Sequence, residues 1–142
     1  MTRLSPRLAA VVDALPLAPG MRVLEIGGAP GTAARAVCRR IAPGGHVLVI
    51  DRSAKGIALI EHNASAEIAA GLLSARQVAA EDFALLPGDA PFDLAFAIRL
   101  GALDGRHPNA AVAARQHIRQ ALSPGAHLYI DGGAPLRITP PG

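Results

Sequence analysis

The chain has 142 residues, 51% of them hydrophobic and 18% charged, which suits one α/β or α+β domain and is too apolar for disorder. Its net charge of +3 comes from 13 scattered arginines and a single lysine, with only Arg39 and Arg40 adjacent, so the clustered basic stripe of a nucleic-acid binder is missing. Four aromatics leave little material for base-stacking platforms, and the lone Cys38 excludes an intramolecular disulfide or a cysteine-based metal cluster.

The first seventeen residues are interrupted by Pro6, Asp13 and Pro16 and do not form the apolar block of a signal peptide. No run approaches the ~20 apolar residues of a membrane span, so a soluble, cytoplasmic protein is expected. Residues 6–15 read as a helix capped by Ser5, with Leu8, Val11, Val12 and Leu15 on one face. A turn at Pro19-Gly20 leads to a strand at 22–26, the glycine-rich segment GGAPG at 27–31, and a helix at 32–41.

The unit then repeats. Residues 46–50, HVLVI, form an apolar strand closed by Asp51, and Ser53 caps a helix expected from 54 to about 70. A weaker strand lies at 74–79, another runs from Phe92 to Ile98, and an amphipathic helix covers 109–122 with Asn109 as its cap. Residues 126–131 give the last strand. Alternating strands and helices, with strands apolar throughout, predict a doubly wound, mainly parallel α/β sheet of five strands in the order 3-2-1-4-5.

A strand, a glycine-rich turn and a helix form the geometry of a nucleotide-type site at the carboxyl end of the sheet. Asp51 closes the neighbouring strand 24 positions after Gly27, where a carboxylate can accept from both hydroxyls of a ribose. The dinucleotide pattern G-x-G-x-x-G fails, because Ala29 and Thr32, or Pro30, stand where glycines are needed. No phosphate-binding Gly-Lys-Ser/Thr occurs either.

The run VLEIGGAPGTAARAV at 23–37 instead resembles motif I of the class I S-adenosyl-L-methionine (SAM)-dependent methyltransferases. Glu25, Gly27 and Gly31 match, and Ala29 replaces the middle glycine. HVLVIDRS, VAAEDF, FDLAFAIRL and LSPGAHLYIDG resemble the later motifs in the family's order, so the resemblance spans about residues 20–133. It implies a Rossmann-like core across 1–142 that binds SAM and transfers its methyl group to a small-molecule acceptor.

The resemblance also implies roles for individual residues. Gly27, Gly28 and Ala29 would line the methionine part with backbone, and Glu25 would stabilise the loop or meet the amino group through water. Asp51 would hold the ribose, with Arg52 near the adenine. Glu81 or Asp82 would accept from the adenine amino group and Phe83 would offer its amide, although both acids also suit the polar first turn of a helix. Arg99 falls where family members bring cofactor and acceptor together, and could equally pair with Asp104. No catalytic residue can be assigned; Asp104 and His107 are the candidates for a base, should the acceptor need one.

The sequence departs from the family after its fifth strand, where GGAPLRITPPG replaces a helix and an antiparallel hairpin. The edge of strand five then needs cover. Residues 134–139 are expected to fold back over it or to pack against a second copy or a partner chain. Two other functions compete with the enzyme: a non-catalytic SAM-binding domain that supports a partner chain, and a nicotinamide-dependent oxidoreductase, which Ala29, Thr32 and the lack of a Tyr-x-x-x-Lys pair disfavour.

Overall fold

The computed structural model describes residues 4–98, 108–131 and 136–138. In chain order these form α1 (Pro6–Ala14), β1 (Arg22–Ile26), α2 (Thr32–Ile41), β2 (His46–Asp51), α3 (Ala54–Asn63), α4 (Ser65–Ala69) and β3 (Leu73–Gln77). A single 3-10 turn (Ala80–Asp82) follows, then β4 (Leu94–Ala97), α5 (Pro108–Gln120), β5 (Leu128–Asp131) and β6 (Leu136–Ile138).

The strands make one sheet in the order β3-β2-β1-β4-β5-β6. The first five run parallel, with Leu24 of β1 opposite Leu48 on one side and Ala95 on the other. Successive residues of each strand feed opposite faces. Val23, Val47, Val49, Leu73, Leu94 and Phe96 pack against α1, α2 and α3, while Leu24, Ile26, Ile50, Leu128 and Ile130 pack on the other face with α5. Burial on both sides is why these strands lack polar alternation. Phe83, Phe92 and Phe96 are fully buried, so three of the four aromatics sit at the centre of a core otherwise built from aliphatic residues.

The expected parallel order is present, but the sheet has six strands rather than five. Leu136, Arg137 and Ile138 pair antiparallel with Asp131, Ile130 and Tyr129, and Leu136 packs onto the apolar core. The proline pair lies beyond Ile138, so it removes no donor from this strand. The chain thus folds back over its own edge.

Three further expectations are corrected. The helix predicted from 54 to 70 breaks at the buried Ala64, and the bend lets α4 place Ile68 on the core and Glu67 against Arg35 of α2 at 3.2 Å. The strand predicted from 92 to 98 begins only at Leu94, because the Phe92 backbone bridges to Leu122 beyond the end of α5. Asn109 lies inside α5, which starts one residue earlier, and does not cap it. The Ser5 and Ser53 caps are as read: each hydroxyl accepts from the amide three residues on, at 3.2 and 3.0 Å.

Several arginines do more than solvate the surface. Arg22 and Arg76 lie over the rings of Phe92 and Phe83, 4.9 and 4.6 Å from their centroids. Ion pairs hold α1 near both ends, Arg40–Asp13 to α2 and Arg7–Asp131 to the end of β5. Among the described residues, no helix is long and apolar enough to cross a membrane.

Ending the chain after residue 134 removes three ladder pairs and the Leu136 contact, together roughly 1–2 kcal/mol. A melting temperature lower by about 4–8 °C is expected in a thermal melt, with faster sedimentation from edge-to-edge association.

Candidate functional site

The carboxyl ends of β1 and β2 carry the two acids on which the site is built. Glu25 is flanked in register by Val49 and Phe96 and is only 2% exposed. Burial in this apolar slot, and secondarily the charge of Asp51, pushes its carboxyl up to about 8. Its Oε1 has no hydrogen-bond partner within the protein.

The glycine loop then passes directly above it. A Cβ on Gly28 would lie 2.4 Å from Val49 Cγ1 and 2.7 Å from Glu25 Cδ, so only glycine permits this approach. Gly31 turns the chain into α2 at φ +102°, its amide donating to the Gly28 carbonyl at 2.7 Å. Asn63 of α3 pins the loop from the side by donating to the Pro30 carbonyl at 3.1 Å.

Asp51 joins this loop to the next. Its Oδ2 accepts from the Ala29 amide at 3.3 Å and its Oδ1 from the Ser53 amide at 3.0 Å. A carboxylate offers about four acceptor positions, so about two remain for a ligand. Gly56 of α3 faces the same carboxylate, and a Cβ there would come within 3.1 Å of Oδ1.

Two clefts flank the loop. The larger, about 370 Å³, lies between residues 27–29, the start of α2 and the start of α1, with Glu25 on its wall. The smaller, about 160 Å³, is lined by Asp51, Arg52, Val78, Ala80 and Glu81. Gly27 borders both, so an elongated ligand crossing it would lie in each.

The structure therefore brings together Glu25, Gly27, Gly28, Ala29, Asp51, Arg52 and Glu81. Arg52 donates to both oxygens of Glu81 at 3.0 and 3.1 Å, an ion pair that fixes the far wall of the smaller cleft. Asp82 is exposed and does not line either cleft. Phe83 is buried, with its amide donating to the Ala80 carbonyl at 3.3 Å and its carbonyl accepting from His117 Nδ1 at 2.8 Å. Cys38 is buried packing: its Sγ lies 3.6 Å from the Leu72 carbonyl oxygen, and burial pushes the thiol up to about 12. Arg99, Asp104 and His107 lie outside the described residues.

Sequence reasoning missed the contribution of Ser5, Arg7 and Leu8, because nothing local shows that α1 returns to the carboxyl end of the sheet. It also missed Asn63, Gly56 and Gln77. Gln77, whose Nε2 donates to the Arg52 carbonyl at 3.2 Å, helps fix the loop after β2. The predicted order sets β3 beside β2 but not the register that brings Gln77 level with Asp51, and that register is what points to it.

Taken together, the strand order and the loops define a Rossmann-like α/β domain with a two-part cleft at the carboxyl ends of β1 and β2. The family model described as "Methyltransferase domain" matches residues 23–125. The chain belongs to that methyltransferase-domain family. Its fold is similar to that of a SAM-dependent methyltransferase from Geobacter sulfurreducens, solved in complex with S-adenosyl-L-homocysteine (SAH). That likeness has 22% identity and a TM-score of 0.68, covering 89% of this chain and 48% of the other. A SAM-dependent methyltransferase from Thiobacillus denitrificans, also in complex with SAH, has 23% identity and a TM-score of 0.68, with 89% and 48% covered. One from Aquifex aeolicus has 16% identity and a TM-score of 0.69, with 87% and 62% covered. The chain thus spans between 48% and 62% of the length of these structures. No curated protein matches it in sequence.

The buried acid gives a test with a definite sign. Between pH 4.5 and about 8 the folded chain holds a proton on Glu25 that the unfolded chain has released, so stability falls as pH rises through this window. Glu25→Gln is expected to flatten that slope and to be more stable than the wild type at pH 8 by up to a few kcal/mol, read from urea denaturation at pH 5 and pH 8.

Proposed function

We propose that residues 1–142 act as one SAM-binding domain that transfers the cofactor's methyl group to a small-molecule acceptor in the cytoplasm. The observation that carries this reading is the pair of clefts meeting at Gly27 with the Asp51 carboxylate beside them. The residues suit such a cofactor on two further counts. Gly28 lets the loop lie against Glu25, which contributes to the wall of the larger cleft and has one buried oxygen without a protein partner.

In this reading the methionine part lies in the larger cleft along the backbone of residues 27–29, with its ammonium toward Glu25. The two remaining acceptor positions of Asp51 take the ribose hydroxyls. The adenine enters the smaller cleft, where Glu81 rather than Asp82 is placed to accept from the exocyclic amine and Arg52 holds Glu81 in position. Phe83 backs this wall from the core. Gly31 sets the direction of α2, whose N-terminus adds positive potential at the loop.

Bound there, SAM supplies a methyl group already activated by its sulfonium. The chain's task is then alignment of the acceptor with that carbon, which can supply much of the acceleration. Asp104 and His107 are the proposed sources of a base for an acceptor that carries a proton, with Arg99 between cofactor and acceptor. The scattered arginines and the size of the cleft favour a small molecule over nucleic acid. A single, buried cysteine suits a reducing compartment. The edge of β5 is paired within the chain by β6 over Tyr129–Asp131. The rival reading, a cofactor domain without turnover, differs in one readout: conversion of SAM to SAH. A thermal melt with SAM against NADH separates the oxidoreductase, since only the true ligand raises the melting temperature.

Asp51→Ala is expected to weaken SAH binding by about 2–4 kcal/mol, measured by calorimetry. If the wild type binds neither SAM nor SAH, the reading fails; unchanged affinity in the variant removes the role of Asp51 alone. An ammonium placed beside Glu25 lowers that carboxyl from about 8, so binding at pH 7 releases up to one proton. Calorimetry in buffers of different ionisation enthalpy should detect the release in the wild type and lose it in Glu25→Gln.

A further inference from the structure

A cavity of about 430 Å³ lies between the last turns of α5 and the segment that leads into β5. β5 runs parallel to β1, so this cavity sits at the amino end of the sheet and the glycine loop at the carboxyl end. Among the described residues, none that lines it lines either cleft of the candidate site. Its floor is apolar: Ile118 and Leu128 are buried and Leu122 is half-buried. Arg115 and Arg119 are one helical turn apart, with Ile118 and Leu122 on the same stripe, so both cations stand beside that floor. His127, edge-on to Tyr129 with ring centroids 6.2 Å apart, completes the rim.

No acid lines the cavity among the described residues. Arg7, Arg35, Arg40 and Arg52 each have a carboxylate partner, and Arg22 and Arg76 lie over rings. Among the described residues Arg115 and Arg119 have neither. The negative end of the α5 dipole amounts to about half a charge, which two guanidiniums outweigh. Two uncompensated planar cations beside an apolar floor match a carboxylate carried on an apolar body, and the cavity is of a size that holds a small organic molecule. We infer that it binds a small organic carboxylate, with the chain on Ile118, Leu122 and Leu128 and the charge on Arg115 and Arg119. The site neither uses nor requires SAM, and lying across the sheet from the glycine loop it is not where a methyl acceptor would meet the cofactor.

The probe is octanoate, with octanamide as its uncharged counterpart and butanoate and hexanoate as shorter chains, titrated against the amide spectrum of the full chain. Octanoate should bind at least about fivefold more tightly than octanamide. Each methylene added from butanoate upward should strengthen binding about threefold. The shifts should centre on Gly125, Ala126 and His127, whether or not SAH is added. Methionine keeps most of the apolar stem of arginine and loses the charge. In the double variant Arg115→Met, Arg119→Met the advantage of octanoate should therefore fall to within about twofold, with octanamide bound as in the wild type; either single change should give an intermediate preference. The inference is overturned if octanoate leaves these amides unmoved at millimolar concentration, if it binds no better than octanamide, or if the double variant keeps the preference. Shifts centred on residues 27–29 also overturn it, because the probe then sits in the clefts at the other end of the sheet. A wild type that sediments as a dimer and is dissociated by octanoate makes the cavity an interface between copies, which overturns it as well. Failure of SAM and SAH to bind counts against the cofactor reading alone and leaves this result standing.

Discussion

One carboxylate organises the working end of this molecule. Asp51 accepts from the Ala29 amide of one loop and the Ser53 amide of the next, so the two loops on either side of the clefts cannot move independently. The arrangement depends on the parallel register of β1 and β2, which sets Ile26 beside Ile50 and leaves Asp51 one step beyond. That register is in turn fixed by burial, since a slip by one residue would turn Val23, Val47 and Val49 away from the helices that cover them. The site is a by-product of how the core packs.

Glu25 carries the opposite logic. It occupies a position in β1 that the packing would fill with an aliphatic residue, between Val49 and Phe96, and the fold tolerates it in neutral form. A buried acid without a partner for one oxygen costs stability, and such local violations concentrate where a protein binds or reacts. Gly28 belongs to the same compromise, for it is the absence of a side chain there that lets the loop close over the acid.

The sheet order and the acids at its carboxyl end were legible in the sequence because each follows from a local pattern: apolar runs, a glycine turn, and Asp51 closing a strand. What escaped was set by tertiary packing. The bend at Ala64 follows from where Ile68 and Glu67 find partners. The return of residues 134–139 over the edge of β5 was expected, but not that Leu136–Ile138 would pair there as a sixth strand. The choice between Glu81 and Asp82 could not be read from the motif. In the structure the 3-10 turn places Glu81 on the smaller cleft and against Arg52, and leaves Asp82 outside it. The share of α1 in the larger cleft was hidden for the same reason, since its sequence records an amphipathic helix and not where the first turn points.

The Arg7–Asp131 contact also has an architectural meaning. It ties the first turn of α1 to the end of β5 across 124 positions of sequence. Fraying of the first helix and fraying of that end of the sheet are thereby coupled, and the two belong to one cooperative unit.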